Sequence, residues 1–125
     1  MVTGIVTASR EAVVRLVVHG TTGQTSEIEA VIDTGFTGFL TLPTPLIFSL
    51  GLIWRGQAQA TLGDGNPHQF DVYEAAVLWD GHVRVVETDA ADTMPLIGMG
   101  LLYEYDVHIQ TVEGSPVTIE ALSVQ

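Results

Sequence analysis

Short apolar runs separated by turn residues make up most of the chain, and this pattern predicts strands. In residues 25–32 the apolar Ile28 and Ala30 alternate with the acids Glu27 and Glu29, which is the period of a half-buried strand. Other runs rich in β-branched or alternating apolar residues predict further strands at 2–6, 12–19, 39–42, 53–62, 68–79, 82–88, 105–112 and 117–124. The Leu-Ile-Gly run at 96–98 ends one more apolar strand in a glycine turn.

One short helix is predicted at residues 45–50, and a single helical turn at 99–103. Thr44 is suited to the N-cap, Pro45 to the first helical position, and Gly51 to the residue that ends the helix. The chain is therefore nearly free of helix.

The turns between strands are short, and the strongest turn signal is the glycine-rich segment 63–67. It joins two long predicted strands into a hairpin. The acidic segment 89–93 is predicted as an exposed loop. Strands that follow one another through short turns predict an all-β domain with a closed, barrel-like sheet.

Length and charge narrow the function classes. With 125 residues the chain is long enough for one packed domain, residues 1–125, and too short for two. The net charge is −11 with four arginines and no lysine, so neither nucleic acid nor an anionic membrane surface is an expected partner.

The chain has no cysteine, no run of about 18 apolar residues and no signal-peptide pattern, which favours the cytoplasm. The spacing of the histidines and acids predicts no metal site, and no motif predicts a cofactor.

A single acid stands where an apolar strand ends. Asp33 follows the run 30–32, and an Asp-Thr-Gly turn leads from it to the apolar run 39–42. A charge at the end of a buried strand is costly unless it is hydrogen-bonded or shared, so this position suggests chemistry. Gly35 and Gly38 are expected to supply the φ freedom of the turn.

The turn at 32–35 resembles the catalytic loop of retropepsin-like aspartic proteases, the single-lobe family that includes retroviral proteases. The hairpin tip at 63–66 resembles the flap that closes over substrate in that family. The segment 95–102 resembles the apolar-apolar-glycine stretch that passes behind the catalytic loop. The resemblance covers about residues 12–110.

The resemblance implies a closed β-barrel with a flap hairpin and one short helix, and an endopeptidase that acts on a peptide or protein substrate. Two carboxylates would activate one water, and a chain with one Asp-Thr-Gly would supply the second as a homodimer. The implied catalytic residues are Asp33, Thr34 and Gly35, with Thr34 bonding across the dimer. The implied substrate-binding residues of the flap and cleft are Gly63, Asp64, Gly65, Asn66 and Phe36.

Phe36 departs from the family pattern, in which a small Ala or Ser follows the Asp-Thr-Gly. A large ring there is expected to narrow the cleft or change which substrates enter. The alternative hypothesis is therefore a catalytically weak or inactive peptide-binding or dimerisation module of the same fold, acting alone or within a larger complex.

Overall fold

The computed structural model describes residues 1–61 and 64–123. Within these ranges the chain forms ten strands and two short helices. The strands are β1 (Val2–Val6), β2 (Ala12–His19), β3 (Thr25–Ile32), β4 (Leu40–Leu42), β5 (Ile53–Thr61), β6 (Pro67–Trp79), β7 (His82–Ala90), β8 (Leu96–Ile97), β9 (Tyr105–Ile109) and β10 (Pro116–Ala121). The helices are α1 (Thr44–Leu50) and α2 (Met99–Leu102).

Six strands close into a barrel in the order β2, β3, β8, β4, β7, β6, because β6 returns to pair with β2 through Val18 and Val77. The pairs β3–β8 and β4–β7 are parallel, and the other barrel pairs are antiparallel. β5 extends the sheet beyond β6, and β1, β10 and β9 extend it beyond β2. The prediction of an all-β domain with a closed sheet is confirmed.

Alternating side chains fill the barrel. Along residues 14–18 of β2 and residues 73–79 of β6 every second residue is buried, so two facing rows of apolar side chains meet inside. Helix α1 adds Ile47 and helix α2 adds Leu101, both fully buried. Trp79 packs edge-on against Tyr105, with 5.7 Å between the ring centroids. Both helices are therefore anchored to the barrel core by buried apolar side chains.

Helix α1 begins one residue earlier than the N-cap prediction placed it. The N-cap is Pro43, and Thr44 already lies in the helix, so the assignment of Thr44 as N-cap and Pro45 as first helical residue is wrong. The backbone N–H of Thr44 donates to Asp92 Oδ1 at 3.2 Å, so a distant carboxylate satisfies the helix start. Gly51 ends the helix with a left-handed φ of 62°, as predicted.

Strand β7 runs two residues further than predicted. Asp89 and Ala90 were expected in an exposed loop, and this is wrong, because they pair in parallel with Thr41 and Leu42 of β4. The last strands are shorter than predicted: β9 ends at Ile109 and β10 ends at Ala121. The predicted strand ends at residues 62 and 124 lie outside the described residues.

Candidate functional site

The loop that follows Asp33 begins where β3 leaves the barrel. β3 and β4 are neighbours in sequence, but β8 lies between them in the sheet. The N–H of Asp33 donates to the carbonyl of Ile97 at 2.9 Å, and the N–H of Val31 donates to the carbonyl of Pro95 at 2.9 Å. The backbone of Asp33 is therefore still held by the barrel, and its side chain stands at the edge of the core.

A local turn orients the Asp33 carboxylate. Its Oδ1 accepts the N–H of Gly35 at 2.9 Å, and its backbone carbonyl accepts the N–H of Phe36 at 3.1 Å. Aspartate side chains commonly close such turns by bonding the backbone two residues on. Asp33 is half-buried, whereas Thr34 and Gly35 are exposed. The structure thus brings the three predicted catalytic residues together in one turn, with two of them on the surface.

The segment 98–100 holds the other end of the loop. Gly98 N–H donates to Phe39 O at 3.1 Å, Met99 N–H donates to Phe36 O at 2.8 Å, and Gly100 N–H donates to Gly38 O at 2.9 Å. Three successive backbone bonds leave the loop little freedom to shift relative to β8 and α2. The loop that carries the Asp33 carboxylate is therefore fixed at both ends by backbone hydrogen bonds.

The glycines of this region allow two backbone segments to pack closely, and they do not adopt an unusual φ. Gly35 and Gly38 do not adopt a left-handed φ, so the expectation that they supply φ freedom is wrong. A Cβ on Gly98 would lie 2.2 Å from the carbonyl oxygen of Gly38, and one on Gly100 would lie 2.9 Å from it. Only a residue without a side chain lets the two backbones come this close.

The ring of Phe36 covers these glycines. Its Cζ lies 2.5 Å from the place of a Cβ on Gly38, and its Cδ2 lies 2.6 Å from the place of a Cβ on Gly98. The ring therefore occupies space that a larger residue at either glycine would need. Phe36 is half-buried and packs within the loop, and it also faces the neighbouring cavity.

A cavity of about 850 Å³ opens beside the loop. One wall is formed by loop residues 35–39, a second by the β5 and β6 strands of the long hairpin, and a third by Thr41 and the end of β7. Asp33 itself does not line this cavity, but Gly35, which donates its N–H to the Asp33 carboxylate, does. The volume falls within the roughly 300–1,000 Å³ that is usual for ligand clefts.

The tip of the long hairpin is only partly described, since Gly63 lies outside the described residues. Asp64 Oδ1 accepts the N–H of Asn66 at 2.9 Å, its Oδ2 lies 2.9 Å from Nε2 of His68, and Gly65 has a φ of 79°. The bonds from Asn66 and His68 hold the pKa of Asp64 below its ordinary value. The described tip residues do not line the cavity.

The strands of the long hairpin line the cavity, whereas the described residues of its tip do not. Ala58 and Ala60 of β5 line the cavity, as do Phe70 and Val72 of β6. The sequence did contain a signal for them, because Ala and Gln alternate along β5 and the small side chains share one face. The resemblance implies substrate contact at the hairpin tip, whereas the cavity beside the loop is lined by the strands of the hairpin.

Asp89 is the charged residue that the sequence analysis missed. It is half-buried on β7, lines the cavity and pairs with Val72 of β6. Burial raises the pKa of Asp89, and the nearby negative charge of Glu87 raises it further. The intervening Thr88 is fully buried, so Glu87 and Asp89 share the opposite face of the strand.

The raised pKa of Asp89 predicts a pH-dependent stability. An acid with a raised folded-state pKa binds its proton more tightly in the folded chain than in the unfolded one. Its contribution to stability is full below the ordinary value of 3.8 and is lost as pH rises through the raised value. We therefore expect Asp89→Asn to raise the melting temperature at pH 7 by about 2 °C and to lose this advantage toward pH 3.

Thermal unfolding between pH 3 and pH 8 measures this effect. Glu120→Gln, which removes an exposed carboxylate on β10, is the matched control and should show no comparable gain. An equal gain at pH 3 and pH 7 for Asp89→Asn would mean that the ionised carboxylate is not the cause.

Membrane-spanning helices and metal-ligand clusters are both absent from residues 1–61 and 64–123. No helix there is long and apolar enough to cross a membrane. Nor do three or more His, Asp or Glu side chains in these ranges gather as a metal ion would require.

The chain has no significant match among protein-family models, curated protein sequences or solved structures. Closed β-barrels host many unrelated functions. The residues around Asp33 and the adjoining cavity therefore decide which chemistry this chain supports.

Proposed function

We propose that this protein is a retropepsin-like aspartic endopeptidase that works as a homodimer. The observation that carries the proposal is the Asp33 carboxylate, oriented by the N–H of Gly35 at 2.9 Å and set beside a cavity of about 850 Å³. A carboxylate fixed by its own loop needs little reorganisation when it reacts. Peptide hydrolysis is the reaction that such a group performs without a metal when a second carboxylate faces it.

The second carboxylate comes from a second chain. Asp33 begins the only Asp-Thr-Gly in the sequence, so a two-fold dimer is the direct way to place two such groups around one water. The exposed Thr34 and Gly35 leave this part of the loop accessible to a partner. In the dimer one ionised Asp33 takes a proton from the attacking water, and the protonated Asp33 donates to the amide oxygen. Two carboxylates about 3 Å apart share one proton because both cannot ionise easily.

The cavity provides the place for the peptide. Aromatic and aliphatic side chains of the loop and of β6 form much of its wall, and the small residues Ala58 and Ala60 leave room for substrate side chains. The β5 and β6 strands form one wall of the cavity, so closure of their hairpin over a bound peptide would exclude water from the cleaved bond.

The second candidate function is a peptide-binding or dimerisation module with little or no catalysis. Phe36 favours it, because the ring fills space between the loop and Gly98 and also borders the cavity. A statine-type peptide, which mimics the tetrahedral transition state, distinguishes the two functions. Tight binding requires the paired carboxylates, so an aspartic peptidase should bind it far more tightly than the matched unmodified peptide. Equal affinity for the two would favour the binding module.

Assembly gives an independent prediction. Each chain carries a net charge of −11, so two subunits repel one another until salt screens the charges. We expect the dimer dissociation constant, measured by analytical ultracentrifugation, to fall several-fold between about 0.05 M and 0.5 M sodium chloride, since the Debye length shortens in that range. A chain that stays monomeric at high salt and high protein concentration would contradict the shared site.

A further inference from the structure

Asp89 stands out among the acids of the chain because it is half-buried in the cavity wall. Within residues 1–61 and 64–123 neither a hydrogen bond nor an ion pair reaches its carboxylate. Its neighbours across the strands are Val72 and Thr41, which offer no charge. A partly desolvated carboxylate without a partner is a costly arrangement that a bound cation would relieve.

The described lining of the cavity does not provide a cation that pairs with Asp89. Its described lining contains no arginine, and its other ionisable residues are Glu87 and His68. His68 faces Asp64 at 2.9 Å, and Arg55, the nearest arginine along the hairpin, is paired with Glu74. The chain as a whole has four arginines against 15 acids. The cavity is therefore a region of negative potential that attracts positively charged ligands.

We infer that Asp89 makes the cleft selective for peptides with an arginine or lysine side chain near the cleaved bond. This inference rests on the proposed endopeptidase function and names its substrate class. The methylene stem of such a side chain packs on the apolar wall near Phe70 and Val72, while its head group reaches the carboxylate. Ala90 and Ala58 leave the width that a long side chain needs.

Two physical effects make the selectivity substantial. The burial that raises the pKa of Asp89 also lowers the local dielectric, which strengthens a charge pair formed there. The negatively charged surface adds long-range attraction for a basic peptide. A preference of about tenfold corresponds to roughly 1.4 kcal/mol, which is close to the low end of what is measured for close charge pairs across interfaces.

The test uses a set of peptides built on a central Leu-Phe in an alanine background, with one arginine placed at each flanking position in turn. The matched set replaces each arginine by citrulline, which keeps the shape and removes the charge. Affinity is measured by fluorescence anisotropy in an Asp33→Asn background, which leaves the peptides intact. Hydrolysis of the same peptides is measured with Asp33 present.

For at least one position we expect the arginine peptide to bind about tenfold more tightly than its citrulline counterpart. Asp89→Asn should reduce that ratio to below about twofold, and Glu120→Gln, which removes an exposed charge on β10, should preserve it. The inference would be overturned if Asp89→Asn left the arginine-to-citrulline affinity ratio unchanged. It would also be overturned if no position showed an arginine preference, or if no peptide bound. An arginine preference that depends on Asp89 in a protein that hydrolyses none of the peptides would uphold the selectivity and overturn the endopeptidase function.

Discussion

Asp33→Asn is expected to lower kcat for peptide hydrolysis by about 10⁴-fold, because the change removes the acid and the base from both subunits at once. The fold should persist, since the Asn side-chain oxygen can still accept the N–H of Gly35. The measurement is the initial rate of peptide cleavage, taken together with the melting temperature of each variant.

Asp92→Asn is the matched control for this change. Asp92 also accepts a backbone N–H, that of Thr44 at 3.2 Å, and it does not line the cavity beside Asp33. Its replacement should leave the rate within about twofold of the parent, as is usual for a surface change away from a site. Retention of full activity in Asp33→Asn would exclude the aspartic mechanism, and the peptide-binding module would then be the better explanation.

Gly98→Ala is expected to destabilise the protein and to disable the site together. The new Cβ would lie 2.2 Å from the carbonyl oxygen of Gly38 and 2.6 Å from a ring atom of Phe36, so the loop must move. Such overpacking costs about 1–3 kcal/mol, which corresponds to a fall in melting temperature of about 5–15 °C for a chain of this size. A loop displaced by a fraction of an ångström also misplaces Asp33, so kcat/KM should fall about 10²-fold even where the variant is folded.

Gly4→Ala separates these two effects. A Cβ on Gly4 would lie 2.1 Å from the carbonyl oxygen of Val13, a comparable clash between β1 and β2 outside the loop. This variant should lose stability while the folded protein keeps most of its activity. Equal loss of activity per folded molecule in both variants would mean that the contact between Gly98 and the loop has no special part in positioning Asp33.

Several elements follow from short-range rules, and the structure reproduces them. β2 has the predicted bounds because it is rich in β-branched residues, and β3 has them because apolar and polar residues alternate along it. Asp33 stands at the end of an apolar strand, and Gly51 ends α1 in a left-handed conformation. In each case the deciding residues are neighbours in sequence.

Two of the errors occur where a distant segment supplies a hydrogen-bond partner. Thr44 was expected to cap α1, but Asp92 accepts its N–H from 48 residues away, so the helix starts earlier. Asp89 was expected in a loop, but β4 offers it a parallel partner at Thr41. A local pattern contains no information about such partners, because they depend on which strands the barrel brings together.

The sequence by itself determined that the protein is built of short strands, that Asp33 stands where an apolar strand ends, and that a glycine-rich hairpin follows. Alternation, turn chemistry and the cost of a charge at a strand end suffice for these features, since all of them act over a few residues. Only the tertiary structure decided that β6 closes the barrel on β2, and that β8 separates β3 from β4. It also decided that the hairpin strands and Asp89, rather than the described part of the tip, form the cavity wall. These features depend on contacts between segments far apart in sequence, which form only when the closed sheet brings those segments together.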